Sequence, residues 1–215
     1  MSMPSSIRLA SFTLLGIVAF GMAHPAQARV HGSRVQANGQ QIGHVGGTVA
    51  NGQGGLTHFR GTGASGPNGT AVHGAYTSVN PGGSVSHQGG TSITGATGGS
   101  FTGHNSYTRN ADGSASSSHS DYGTTASGGT LSSNGSYSRS ANGSVSGSSQ
   151  TSASGAKGSY NASTTTADGT TNHDTSITNA SGDNYTGQTS YTKGQGITHS
   201  GTCTNAGGSV VPCGQ

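Results

Sequence analysis

Glutamate and tryptophan are missing from this chain of 215 residues, and its methionines, Met1, Met3 and Met22, all lie near the start. Only 6% of the residues are charged and 5% aromatic, and there are two cysteines. Without Glu, a paired-carboxylate site for acid–base chemistry would have to come from five scattered aspartates. No Gly-x-Ser-x-Gly nucleophile elbow and no Gly-x-x-x-x-Gly-Lys-Ser/Thr phosphate loop occurs. Calcium-binding nonapeptides, which need Gly-Gly-x-Gly-x-Asp in register, are missing too. Asp112 and Asp168 precede glycines and Asp183 follows one, which is turn chemistry. In a chain this rich in Ser, the adjacency of His173 and Asp174 defines no triad. The expectation is a protein that is not an enzyme.

What is present begins with an address. Arg8 precedes an apolar stretch from Leu9 to Ala23, and Ala26-Gln27-Ala28 supplies the small-x-small pattern of a signal-peptidase site. Residues 1–28 read as a Sec-type signal peptide cut after Ala28, so that the mature chain starts at Arg29. The apolar stretch falls short of the roughly 20 residues that span a bilayer, and no retained membrane anchor is expected. The product is secreted, periplasmic or cell-surface, and the sequence leaves that choice open.

Beyond the signal, the large apolar residues (Val, Ile, Leu, Phe, Tyr) number 25, against a background of Gly, Ser, Thr and Asn. That is too few for a close-packed globular core, because apolar burial is the main term opposing conformational entropy. The mature cations, such as Arg60, Arg109 and Lys157, are scattered singly, so no nucleic-acid footprint is expected. Such a composition suggests disorder, but a rhythm argues against it. Turn-like tetrapeptides recur, with second glycines at Gly69, Gly83, Gly99, Gly113, Gly129 and Gly143, spaced 14, 16, 14, 16 and 14 apart. Asn-Gly and Asp-Gly, as in Asn142-Gly143, Asp112-Gly113 and Asp168-Gly169, are favoured centres of type I′ hairpin turns with both residues at positive φ.

Two such half-units make a repeat of about 30 residues marked by Tyr76, Tyr107 and Tyr137. "TSITGATGGSFTGHNSYT" from Thr91 and "TSITNASGDNYTGQTSYT" from Thr175 agree at 11 of 18 positions, which is duplication. Between turns the residues alternate with the period of two that strands require, as in Ser136-Tyr137-Ser138-Arg139-Ser140, so that small hydroxyls line one face and Tyr, Val, Arg or Gly the other, and no helical period is sustained after the signal. The fold class expected is all-β: a repetitive hairpin array over residues 29–200, closed by a hairpin at 201–215. The sequence leaves open an extended meander, a β-solenoid, or a chain that orders only on assembly. Low charge and short β-prone segments point to self-association.

Cys203 and Cys213 lie symmetrically about Gly208, so a three-residue Gly-Gly-Ser loop sets them opposite each other in a hairpin, within disulfide range. A disulfide that staples the last hairpin is expected. His31, His44, His58, His73, His87, His104 and His119 follow the half-repeat rhythm. In a stacked array, His58, His73, His87 and His104 form a column able to bind Zn²⁺, Cu²⁺ or Ni²⁺ weakly. Otherwise histidine is a polar surface residue inherited with the unit. No other cofactor is expected.

The signal, the "SYTRNADGSAS" and "SYSRSANGSVS" units and the closing "YTKGQGITHSGTCTNAGG" resemble a group of small exported bacterial proteins made of Gly/Ser/Thr-rich repeats. The resemblance implies location and architecture only. The chain is more loosely similar to functional-amyloid subunits of biofilms, although it lacks the Ser-x5-Gln-x-Gly-x-Gly-Asn spacing of curli. An exported, non-enzymatic repeat protein with a structural, cell-surface or extracellular-matrix role is the leading expectation. Its partners are copies of itself or surface and matrix components. The alternative is a His-rich metal-binding or carbohydrate-binding exported module.

Overall fold

The computed structural model describes residues 28–213. The expected signal peptide lies outside the described residues except for Ala28, its last residue. The strands are β1 (Arg29–Ala37), β2 (Gln40–Ala50), β3 (Leu56–Gly66), β4 (Gly69–Val79), β5 (Val85–Gly95), β6 (Ser100–Arg109) and β7 (Ala115–Thr124). They continue through β8 (Thr130–Arg139), β9 (Val145–Gly155), β10 (Gly158–Ala167), β11 (Thr170–Asn179), β12 (Asn184–Thr192), β13 (Gly196–Thr204) and β14 (Val210–Val211). Every strand pairs antiparallel with its neighbours in sequence, so the chain forms one open 14-stranded meander, and no helix occurs among the described residues. Of the architectures left open by the sequence, the extended meander is the one formed.

The turns explain why this sequence folds back so regularly, and they correct two expectations. At Asn110 to Ser114, the Gly113 amide donates to the Asn110 carbonyl and the Asn110 amide to the Ser114 carbonyl. Gly113 alone is left-handed, at φ 85°, while Asp112 is not. This is a three-residue loop of a type I turn followed by a left-handed glycine, not a type I′ turn. Asn142-Gly143 behaves the same way, with φ 91° at Gly143 only. Type I′ geometry, with both residues at positive φ, occurs at Asp168-Gly169 and at Asn38-Gly39. The second correction concerns which glycine turns. In Gly98-Gly99 and Gly128-Gly129 the left-handed residue is the first, Gly98 (φ 97°) and Gly128 (φ 83°), and Gly99 and Gly129 merely close the loop.

With that shift, the left-handed glycines step by 15 from Gly83 through 98, 113, 128, 143 and 158, and of the apparent alternation of 14 and 16 only the first step, from Gly69 to Gly83, stays at 14. The residue that opens a loop often ties it with its side chain. Asn205 Oδ1 accepts from the Gly207 and Ser209 amides, both at 3.0 Å, and Asn51 Oδ1 accepts from Gly55 at 2.7 Å. Carboxamides that bond their own backbone two to four residues on favour a turn over any continued strand.

A one-layer sheet cannot bury side chains between layers. Ala162, 9% exposed, is the one buried hydrophobic residue among those described. Aromatic rings lie instead on glycines, in spaces that a Cβ would occupy. Phe59 covers Gly47 and Phe101 covers Gly103, with ring atoms 2.9 and 3.1 Å from where the Cβ would be, and Tyr185 spans Gly187 and Gly201. Strand glycines therefore serve as floors for rings, which explains glycine inside strands where it otherwise weakens them. The accessible surface is 15,074 Å² for a 20.9 kDa chain. A compact protein of that mass exposes about 9,000 Å².

Candidate functional site

Residues paired Cα to Cα across successive strands form rows, and a row keeps to one face because side chains alternate. One row crosses the sheet without a break: Val35, Ile42, Ala64, Ala71, Ile93, Phe101, Gly123, Leu131, Ala153, Tyr160, Ile177, Tyr185, Cys203 and Val211. Only the two tyrosine hydroxyls interrupt its apolar character. Seventeen of the 25 large apolar residues stand on this face, including Leu56, Val79, Val85 and Val145 at the other end of the strands. Most are exposed: Ile42 by 53%, Ile93 by 43% and Leu131 by 40%.

The opposite face is built of hydroxyls. From β6 to β9 one of its rows reads Ser106, Ser118, Ser136 and Ser148, and the next reads Thr108, Ser116, Ser138 and Ser146. These serines line a shallow open trough. Cross-strand bonds link them, at 2.7 Å between Ser106 and Ser118 and 2.9 Å between Ser138 and Ser146. The smallest hydroxyl residue lets such bonds form without bulk above the sheet.

Histidine follows the apolar face. His31, His44, His58, His73, His87, His119, His173 and His199 stand there, and His104 alone is on the hydroxyl face. Six of them bond a directly opposed threonine. The pairs are His44 with Thr62 (3.2 Å), His58 with Thr48 (3.1 Å), His73 with Thr91 (2.9 Å), His87 with Thr77 (2.8 Å), His173 with Thr164 (2.9 Å) and His199 with Thr189 (2.9 Å). The imidazole rhythm thus belongs to a cross-strand His–Thr ladder. Of the four histidines expected in one column, His58 and His87 share a row with Thr77 between them. His73 stands two rows away, beyond the row of Ala75, and His104 is on the other side of the sheet. Among the described residues no three His, Cys, Asp or Glu side chains come together as a metal-binding group.

Cys203 and Cys213 form the expected disulfide, with their Cα atoms 5.3 Å apart. The loop differs from the expected one. Asn205 and Ser209 close Ala206-Gly207-Gly208, so the register partner of Cys203 is Val211, and Cys213 returns from beyond β14. At the turn of Asp112, bonds donated by the Ser114 hydroxyl and then the Ser114 amide, at 2.7 and 2.9 Å, hold the Asp112 carboxyl below its ordinary pKa.

Sequence reasoning found that small hydroxyls take one side of a strand and Tyr, Val, Arg or Gly the other, as β8 and β9 show, but missed how those sides align from strand to strand. Tyr76 shows why: it was grouped with Tyr107 and Tyr137, but those two share the row of Thr77, one residue on, and Tyr76 is on the hydroxyl face. The signal that reveals the faces is the left-handed glycine. Counted from Gly83 in steps of 15, residues 30 apart fall in one row over β4 to β9. The duplicated segments also obey it, since Ile93 and Phe101 occupy the same row as their counterparts Ile177 and Tyr185. Comparisons with protein-family models, with curated proteins and with solved structures give no match to this chain.

Proposed function

We propose that the mature chain is an exported, non-enzymatic structural protein of the cell surface or extracellular matrix. The observation that carries this reading is the commitment of the chain to surface. One open sheet leaves both of its faces uncovered by the chain, and Ala162 is the one buried hydrophobic residue among those described. Fourteen strands about 4.8 Å apart and about 34 Å long make a plate roughly 60 Å wide with two chemically different faces. A plate of this kind suits a role in covering, spacing or linking. The Cys203–Cys213 bridge supports an oxidising compartment, where such bonds persist.

The test is fractionation of the cells that make the protein, with N-terminal sequencing of the product. The expected result is a chain starting at Arg29, recovered from the surface or extracellular fraction and cleaved by protease added to intact cells. A chain that retains Met1 and stays in the cytoplasm would refute the reading.

A further inference from the structure

The apolar face has no cover within its own chain, because all described strands belong to the one sheet. We propose that its cover is a second copy of this chain, laid face to face about a two-fold axis that runs parallel to the strands between β7 and β8. This proposal concerns assembly and does not depend on where the protein acts.

Area is the first support. A face about 60 Å by 34 Å covers roughly 2,000 Å² per copy and about 4,000 Å² in all, within the range of obligate homodimers. A bare single layer lacks the second sheet that gives a β-sandwich its core about 10 Å thick.

Shape complementarity is the second and stronger support. An axis parallel to the strands lays each row on itself and sets β7 against β8, β6 against β9, and outward to β3 against β12. The apolar row contains four small residues among the aromatic and aliphatic ones. Under this axis Gly123 faces Leu131 of the second copy, Ala153 faces Phe101, Ala71 faces Ile177, and Ala64 faces Tyr185. Every small position in the row meets a large one, which is how packed layers interdigitate. Another row of the same face, three rows away, sets Ser117 against Tyr137 of the second copy.

The charged and titratable groups are the third. Of the charges on the face, Arg60 and Asp121 meet Thr189 and Ser133 of the second copy, and Arg109 and Arg139, at strand ends, meet Val145 and Ala115. His119 meets Gly135, and His173 meets Ala75. No histidine, arginine or aspartate of one copy faces another such group. No charge is set directly opposite a like charge inside the face, and the arginines at positions 109 and 139 of the two copies gather at one edge of it.

Sedimentation equilibrium of the mature chain at pH 7.5 and micromolar concentration tests the proposal. The expected result is twice the chain mass, reduced to one chain mass by Leu131→Asp, with Ser132→Asp on the opposite face without effect. Circular dichroism checks that both variants keep their sheet. A second measurement does not rely on a disruptive change: mixing Leu131→Cys with Gly123→Cys under mild oxidation should yield a cross-linked heterodimer, and Ser132→Cys mixed with Gly123→Cys should not. A monomer up to about 100 μM overturns the proposal. So does a dimer broken by Ser132→Asp but not by Leu131→Asp. A monomer that co-sediments with phosphatidylcholine vesicles through Leu131 also overturns it, and would assign the face to a lipid surface.

Discussion

Gly98→Ala and Gly99→Ser, two substitutions one residue apart, should behave differently, and the reason lies in the turn. Gly98 holds φ 97° with nothing within 4 Å of where a Cβ would stand, so the cost of Ala there is backbone strain alone. A left-handed non-glycine residue costs roughly 1–2 kcal/mol. A Cβ at Gly99 would come within 3.3 Å of the Thr124 carbonyl and 3.4 Å of the Ala126 amide, asking for a shift of a few tenths of an ångström. The same place in sister turns is taken by Ser84, Ser114, Ser144 and Ser209, so the hairpin geometry accommodates serine there. The amides of Gly95 and Gly98, which bond the Gly99 and Gly95 carbonyls at 2.7 and 3.1 Å, report the opening of this hairpin. Their hydrogen exchange should accelerate about 5- to 30-fold in Gly98→Ala, the factor that 1–2 kcal/mol implies. In Gly99→Ser it should change by no more than about twofold. Equal acceleration in both variants, or a larger one in Gly99→Ser, would refute the turn assignment and with it the 15-residue step that sets the faces.

Reducing the Cys203–Cys213 bridge, or Cys203→Ser, should release the last hairpin at a cost of about 3 kcal/mol for so short a loop. Exchange protection in β5 to β9 should stay as it was, and its loss there would contradict a hairpin-local role. The Asp112 carboxyl should titrate with a midpoint below the ordinary value near 3.8, as followed by NMR, because its charged form accepts two bonds from Ser114. A depressed value means that its stabilisation of the turn is present above the unfolded-state value and is lost as pH falls through the folded one. Asp112→Asn should abolish that dependence while keeping the turn, as Asn142 does by accepting from the Ser144 amide at 3.0 Å. Calorimetry with Ni²⁺ at pH 7.5 should show only weak binding, and His104→Gln should leave it unchanged because His104 stands apart from the other histidines. Tight binding that depends on His104 would overturn that placement.

Much of this architecture is legible in the residues alone. Sparse apolar content excludes a globular core, period-two alternation between Gly-rich punctuation specifies strands, and Cys203 and Cys213 announce their bond. These are local properties, set by backbone preference and chain separation, and they survive translation into structure. The alternation of hydroxyl and larger side chains within one strand is legible as well, but which residues of successive strands share a face is not, because that depends on phase. In "TGGS" at residues 97–100, either glycine satisfies the local turn signal, and hydrogen bonding within the folded hairpin makes Gly98 the left-handed one. Choosing Gly99 moves the count by one residue, and in a strand one residue is the difference between one side of the sheet and the other. That is why spacing alone sets Tyr76 with Tyr107, and His104 with His87, on faces the folded sheet keeps apart. The duplicated segments from Thr91 and Thr175 carried the apolar row all along. Only the register of fourteen strands, accumulated across thirteen turns, brought Ile93 and Ile177 into one line and set serine on the far side.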